Sequence, residues 1–562
     1  MTEFTWWETG VFYQIYPRSF ADANGDGIGD IPGIISKLDY LQWLGIKGIW
    51  LSPHYPSPQI DVGYDIADYT AVEPDYGSLD DFQTMLDEIH KRDMKLILDL
   101  VLNHTSDKHQ WFQESKSSRD NPKRDWYVWR DGKDGEPPNN WEAIFGGSAW
   151  EYDEASGQYY YHYFLKEQPD LNWRNPEVKA AMFDAARFWL DMGVDGFRLD
   201  AIGTIYEDPE LPPHTSKYNA IEVLSAFWIH DEGEKESDFT GMMHDLFQYQ
   251  HDLPEVFDLM SEFRDVIDEY ENRFLVGESS DLRFLGDGTN QLHSIFNFDL
   301  TVQQTLTAPI VRSLHTSWCE QIPAGAWQSN TLNNHDQSRV RTHFASGEHS
   351  AALSRIGAAL PLLLEGIPFL YYGEEIGMED YAIQSMDELR DMVGEVYYRI
   401  RSADGFSDEQ ILKELGKFSR DRCRTPMQWD GSANGGFSPV DVKTWLPVHD
   451  NHAAGVNVAA QQDDESSLLH FYRRVIALRN ETIALQVGKF KDLDPDNENA
   501  LFFLREAESQ ICMVAINFTE EAVQLNSDKT GTVLFSTDSH SGTIDAGELV
   551  LAPFEVLIVE LE

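Results

Sequence analysis

Three short segments, each an apolar run ending in acid, carry the chemistry open to this sequence. They are Val194-Asp195-Gly196-Phe197-Arg198-Leu199-Asp200, Phe274-Leu275-Val276-Gly277-Glu278 and Thr331-Leu332-Asn333-Asn334-His335-Asp336. A carboxylate at the end of a buried strand is costly to desolvate, so its presence there points to work. Arg198 and Asp200 alternate along one strand and project from the same face, where the guanidinium holds the carboxylate ionised, as a nucleophile requires. Glu278 follows Val276 and Gly277 with no Lys or Arg beside it in sequence. Apolar surroundings are therefore expected to raise its pKa and keep it protonated as an acid. Any one segment taken alone reads equally well as an ordinary ion pair at a strand end. Together they describe two carboxyls in two environments, the equipment for nucleophilic and acid/base chemistry at one centre.

Elements that place such residues together are legible along the chain. Short β-type runs recur at Val11–Tyr16, Ile46–Ser52, Lys95–Asn103, Val194–Asp200, Phe274–Glu278, His293–Asp299, Ala326–Asp336 and Ile367–Glu374. Stretches such as Leu79–Arg92 and Pro176–Met192 lie between them, with apolar residues at helical spacing and length enough to cross over. Eight alternating units predict a (β/α)8 barrel, whose functional residues sit at the carboxyl ends of its strands. From His104 to Gln168 the alternation gives way to Trp, Tyr, Pro, Asn and Gly, a stretch too long for a structureless loop and expected to form a small domain roofing the barrel mouth. After about Asn480 short alternating runs predict a C-terminal antiparallel β-sandwich. The expected division is residues 1–103 and 171–480 for the barrel, 104–170 for the insert and 481–562 for the sandwich.

Composition narrows the functional class. The chain has 562 residues, 42% of them hydrophobic, enough for a large barrel and smaller domains. Its 96 acidic against 43 basic residues give a net charge of −53, which argues against nucleic acid and anionic membranes and favours a neutral substrate. An excess this large also suggests adaptation to high salt, where screening relieves self-repulsion. Acidic runs such as Asp231–Glu236 and Gln462–Glu465 read as solvated surface. No apolar leader follows Met1 and no apolar run has membrane-spanning length, so a soluble, unprocessed chain is expected. Cys319, Cys423 and Cys512 are far apart and match no disulfide framework or zinc spacing, which favours the cytoplasm.

Asp22-Ala23-Asn24-Gly25-Asp26-Gly27-Ile28-Gly29-Asp30 follows the first predicted strand and reproduces the early half of a calcium loop. Oxygen ligands fall at Asp22, Asn24, Asp26 and Asp30, with Gly27 at the sharp turn and the Ile28 carbonyl next. The twelfth position is Gly33, so the bidentate Glu of an EF-hand is missing. A structural Ca2+ or Mg2+ site of modest affinity is the expectation, bracing the first βα loop.

In order and content these segments resemble glycoside hydrolase family 13, the α-amylase superfamily, over nearly the whole chain. The resemblance rests on Asp99-Leu100-Val101-Leu102-Asn103-His104, Gly196-Phe197-Arg198-Leu199-Asp200, Gly277-Glu278 and Asn334-His335-Asp336. Gln168-Pro169-Asp170-Leu171-Asn172-Trp173 and Arg424-Thr425-Pro426-Met427-Gln428-Trp429 further resemble the oligo-1,6-glucosidase and α-glucosidase branch, which acts on short α-glucosides from the non-reducing end. The resemblance implies Asp200 as nucleophile, Glu278 as general acid/base and Asp336 as the carboxylate gripping substrate hydroxyls. It implies hydrogen bonds from His104 and His335, a sugar face on Tyr64, and an Asp65–Arg424 clamp on the far hydroxyl of the terminal glucose. It also agrees with a structural metal in the first loop.

Ala201 follows the implied nucleophile. In the resembling enzymes Val at this place goes with α-1,6 preference, so the small residue leans the reading toward maltose-like α-1,4 substrates with some transglucosylation. Oligo-1,6-glucosidase, or a transferase or isomerase such as trehalose synthase, are the alternatives. The Arg-Leu-Asp-Arg-Asp segment associated with sucrose isomerisation is absent, while the acidic, Pro-containing insert at Gly203–Glu236 departs from the family's pattern. A non-catalytic scaffold of the same fold is a distant alternative, since all three acids are present. Partners are expected to be small α-glucosides, with the chain a monomer or small homo-oligomer.

Overall fold

The computed structural model describes residues 4–228, 239–545 and 547–562. The acidic run Asp231–Glu236 lies outside them. Eight strands, β1 (Phe12–Ile15), β2 (Gly48–Leu51), β3 (Lys95–Val101), β4 (Gly196–Asp200), β5 (Phe274–Gly277), β6 (Ser294–Asn297), β7 (Trp327–Asn330) and β8 (Ile367–Tyr371), close into a parallel barrel in chain order. Each lies within a run predicted from sequence. The largest trimming is at β7, where Thr331–Asp336 is not strand: Asn334 Oδ1 accepts the Asp336 and Gln337 amides, and this side-chain turn takes the backbone out of the ladder.

Alternation along the strands separates two cores. Phe12, Trp50, Ile97, Phe274, Val276, Phe296, Ile367 and Phe369 fill the barrel interior, with Trp7 packed against Phe274 beneath them. Outward residues such as Ile49, Leu51, Leu96 and Leu98 meet the surrounding helices. Helix α1 (Leu79–Lys91) starts at a Ser78–Asp81 capping box and buries Phe82, Met85, Leu86 and Ile89, a single helical stripe. Helix α2 (Pro176–Met192) is capped by Asn175 and ends at Gly193 in the left-handed conformation, φ 107°. Gly196 lets β4 approach β5: a Cβ there would stand 2.0 Å from the Phe274 carbonyl oxygen.

Between β3 and β4 the chain forms a helix, Gln110–Ser117, and a three-stranded antiparallel sheet of Trp129–Arg130, Gln158–Tyr161 and Trp150–Asp153. Bridges His104–Asp170 and Tyr127–Leu171 tie its two ends together over the barrel. Beyond β8 a helical region includes α3 (Met392–Ala403). The C-terminal part holds β9 (Lys489–Asp492), β10 (Ala500–Ala507), β11 (Gln510–Asn517), β12 (Val523–Ser527), β13 (Gly531–Ser536), β14 (Thr543–Ile544), β15 (Gly547–Leu551) and β16 (Val556–Leu561). Six of these form one sheet, ordered β9-β10-β11-β16-β13-β14, and β12-β15 form the second. Phe502, Leu504 and Met513 pack against Leu525, Leu549 and Leu551 between the sheets. The opposite face, with Leu501, Phe503 and Val514, joins the main core, and buried Arg505 donates to the Leu363 and Leu364 carbonyls.

Candidate active site

Register at the barrel mouth decides which charged groups meet. Pairing of β3 with β4 sets Asp99 opposite Arg198 and Val101 opposite Asp200, and the Glu278 amide donates to the Leu199 carbonyl one step beyond β5. Arg198 is thereby central. Its Nη1 lies 2.7 Å from Asp99 Oδ1 and 2.6 Å from Asp200 Oδ1, and its Nη2 lies 2.9 Å from Glu278 Oε1. The guanidinium sits over the Trp50 ring, 5.0 Å from its centroid. Arg198 has 1% of its side chain exposed, against 11% for Asp200 and 24% for Glu278, so the base forms a floor and the acids face outward.

Glu278 is thus not free of cations, as its sequence neighbours suggest, because strand adjacency brings in an arginine eighty residues away in the chain. Burial nevertheless dominates and pushes its carboxyl up to about 7 against the pull of Arg198, helped by the negative charges of Asp200 and Asp336. Asp200 is likewise pushed up to about 7 by burial, with Arg198 opposing. One guanidinium cannot neutralise three carboxylates, so the cluster retains a proton near neutrality and titrates as a unit. The shorter Arg198 contact favours the negative charge on Asp200. Ala201 helps fix the other acid. Its backbone is left-handed, φ 42°, which aims its N–H at Glu278 Oε2, 2.9 Å away.

Asp336 stands across the mouth. Burial acts to raise it, but His335, Arg424 and Arg420 together hold it well below the usual carboxylate range. Burial drives His335 far below its ordinary value and leaves it neutral, so the two guanidinia supply the charge: Arg424 Nη2 at 2.5 Å and Arg420 Nη1 at 3.8 Å. The expected Asp65–Arg424 clamp is not formed. Asp65 is buried, accepts hydrogen bonds from Ser57 Oγ and the Ile60 and Asp61 amides, and is pushed up to about 7 by burial. Arg424 is spent on Asp336 and the His335 carbonyl. The charged pair that faces the cavity is Asp61 with Arg420, 2.5 Å apart. In Asp61-Val62-Gly63-Tyr64-Asp65 the tight turn reverses which acid faces the cavity.

These groups surround a cavity of about 980 Å³ whose wall includes Asp61, Tyr64, His104, Asp200, Ala201, Glu278, Asp336 and Arg420. Phe145 and Phe164, from the segment between β3 and β4, and Phe298 add apolar surface. Arg198, His335, Arg424 and Asp65 stand behind that wall. The Tyr64 ring stacks on His335 at 5.3 Å, and its hydroxyl bridges Asp99 Oδ2 at 3.0 Å and His335 Nε2 at 2.5 Å. Gln168 reaches both Asp61 and His104 at 3.0 Å. Asp61, Asp99, Gln168 and Arg420 escape a reading of single motifs. The signal was present in their motifs, since Asp61 and Arg420 each precede the residue singled out by four positions.

The Asp22–Asp30 loop lies away from this cavity. Asp22 accepts the Gly25 and Gly27 amides, Asn24 the Asp26 amide, Asp26 the Ile28 amide, and Asp30 those of Ala23, Asn24 and Gly33. Its donors are all oxygen; those of Asp22, Asn24 and Asp26 each accept a single N–H and keep a lone pair, which suits a hard divalent cation, whereas Asp30 Oδ2 already accepts two. Among the described residues no three His, Cys, Asp or Glu side chains are already gathered around one point.

The alpha amylase catalytic domain model matches residues 14–488. An oligo-1,6-glucosidase of Parageobacillus thermoglucosidasius is 37% identical over 100% of this chain and 99% of its own. An α-glucosidase of Schizosaccharomyces pombe is 36% identical over 92% and 91%. Among solved structures, isomaltulose synthase from Erwinia rhapontici NX5 superposes with a TM-score of 0.88 at 36% identity, covering 100% of both chains.

Proposed function

Because the chain belongs to the alpha-amylase family of glycoside hydrolases, we propose that it is a retaining, exo-acting α-glucosidase. It releases terminal non-reducing glucose from short α-linked oligosaccharides, with a leaning to α-1,4 linkages. The reading rests on one observation above all: a single buried guanidinium, Arg198, touches Asp200 and Glu278 together at the floor of the cavity.

Retention at the anomeric carbon needs an ionised nucleophile and a protonated partner about 5–5.5 Å apart. Asp200, closer to Arg198, attacks the anomeric carbon as the glycosidic bond breaks, and Glu278 gives its proton to the leaving oxygen. Water then displaces Asp200 while Glu278 takes a proton from it. Asp336, kept ionised by Arg424 and Arg420, grips substrate hydroxyls and faces the positive charge that develops on the sugar. Asp61 and Arg420 close the blind end and limit the enzyme to a terminal residue. His104 and Tyr64 lie along the glucose wall, and Tyr64 offers its ring to the apolar face of the sugar.

Proton NMR of the first-formed glucose tests this. The α-anomer is expected; the β-anomer, or full turnover by Asp200→Asn, overturns it. Because an isomaltulose synthase is similar over the whole chain, products from maltose, isomaltose, sucrose, trehalose and maltotriose, with and without glycerol, separate hydrolysis from transfer. We also assign the Asp22, Asn24, Asp26, Ile28 and Asp30 oxygens to a structural Ca2+ or Mg2+. The three unpaired cysteines favour a cytoplasmic address, and no described helix is long and apolar enough to cross a membrane.

A further inference from the structure

We propose that Asp391, outside the cavity wall, is the positioning residue that sets the strength of the enzyme's grip on the terminal glucose, an inference that rests on the α-glucosidase reading above. Asp391 is fully buried and stands at the N-cap of α3, where its Oδ1 accepts the Val393 amide at 3.2 Å. The same carboxylate receives Arg420 through three donors: the backbone N–H at 2.9 Å, Nε at 3.1 Å and Nη2 at 2.7 Å. Arg420 Nη2 also holds Asp61 at 2.5 Å, and Nη1 points toward Asp336. One nitrogen of the guanidinium, Nη2, therefore joins Asp391 to Asp61.

The backbone around this contact is locked reciprocally. Asp421 Oδ2 accepts the Arg390 and Asp391 amides at 2.7 and 2.8 Å, while Asp391 accepts the Arg420 amide in return. Nε and Nη2 converge on one oxygen, Asp391 Oδ1, while the Arg420 backbone N–H takes the other, Oδ2, and these three contacts together pin the plane of the guanidinium. Asp391 therefore fixes where the free edge of Arg420 points. It also keeps the charge of Arg420 divided, so that Arg420 does not collapse onto Asp336 at 3.8 Å and withdraw that carboxylate from substrate. The structural arrangement makes α3, a helix with no residue among the reacting groups, a determinant of glucose affinity.

The test is competitive inhibition of p-nitrophenyl α-glucoside hydrolysis by glucose, measured in Asp391→Asn, Arg420→Lys and the double variant. Loss of a charge-assisted contact should weaken inhibition by about tenfold or more in each single variant. KM should rise by a similar factor with a smaller fall in kcat. If Asp391 acts through Arg420, Asp391→Asn adds less than about twofold in the Arg420→Lys background, a non-additive cycle. Multiplying effects, or glucose inhibition unchanged in Asp391→Asn, overturn the proposal. Should that variant not fold, Asp391→Glu keeps the charge but shifts the carboxylate by one methylene, and unchanged inhibition there overturns it equally. A wild-type chain that neither hydrolyses the glucoside nor binds glucose would instead remove the reading on which this one stands.

Discussion

Glu278 meets Arg198 across the seam between β4 and β5, Oε1 to Nη2 at 2.9 Å, and yet burial keeps its carboxyl up near 7. The arginine is already shared with Asp99 and Asp200. A cation divided among three carboxylates leaves room for one proton in the group, and that proton is what acid catalysis uses.

Activity should therefore follow a narrow profile around neutrality. Its acid limb reports protonation of the Asp200 cluster and its alkaline limb loss of the Glu278 proton, both near 7. Glu278→Gln should lower kcat on maltose by about 10²–10⁴ and abolish the alkaline limb. The loss should be smaller on p-nitrophenyl α-glucoside, whose leaving group needs little protonation. A surviving alkaline limb at the same pH would remove Glu278 from the acid role.

The linkage preference turns on Ala201, whose left-handed backbone also supplies an N–H to Glu278. A β-branched residue in that conformation costs about 1–3 kcal/mol, so Ala201→Val should lower Tm. It also narrows the pocket for the leaving group, a change worth about 1–3 kcal/mol between substrates. The isomaltose-to-maltose ratio of kcat/KM should rise; an unchanged ratio counts against the assignment.

Most of the fold could be read from the chain because strands with apolar runs and helices with a single apolar stripe differ in period. The three acids could be read because each lies at or shortly beyond the carboxyl end of such a strand. What escaped belongs to contacts between elements distant in sequence. Arg198 reaches Glu278 only because β4 and β5 are neighbours, and Arg420 reaches Asp61 only because the region after α3 folds back over the first loops. The Asp65–Arg424 pair expected from the sequence is not formed, and the acid–guanidinium contact lies instead between Asp61 and Arg420, each four residues earlier. The truncation of β7 at Asn330 likewise followed from a side-chain turn at Asn334, which competes locally with the ladder.

Asp65, now a buried residue under the wall, makes a distinct prediction. Its folded pKa is about 7 through burial, whereas an unfolded Asp titrates near ~4. The native state keeps the extra proton between these values, so this group's contribution is fully present below the unfolded pKa and lost as pH rises through about 7. Asp65→Asn removes that loss. Its Tm relative to wild type should climb between about pH 4 and about 7 and level off above, and a flat difference over that range would refute a raised pKa.

Removing the cation assigned to the Asp22–Asp30 loop should lower Tm by several degrees, since a ligand bound only by the folded state stabilises it. Turnover at low temperature should change little, because the loop lies outside the cavity wall. Differential scanning calorimetry with a chelator, then with Ca2+ or Mg2+ restored, checks both. An unaltered Tm would empty the site.

The surface charge makes the last prediction. With 96 acidic and 43 basic residues, carboxylates outnumber cations more than two to one, and the mutual repulsion of those at the surface opposes the compact state. Raising KCl from about 0.1 M to about 1 M shortens the screening length from roughly 10 Å to roughly 3 Å. Buried pairs such as Arg198–Asp99 are little affected by that change. The Tm should therefore increase with KCl while glucose affinity, set inside the cavity, stays nearly constant. No gain in Tm over dilute buffer would mean the acidic surface is not an adaptation to salt.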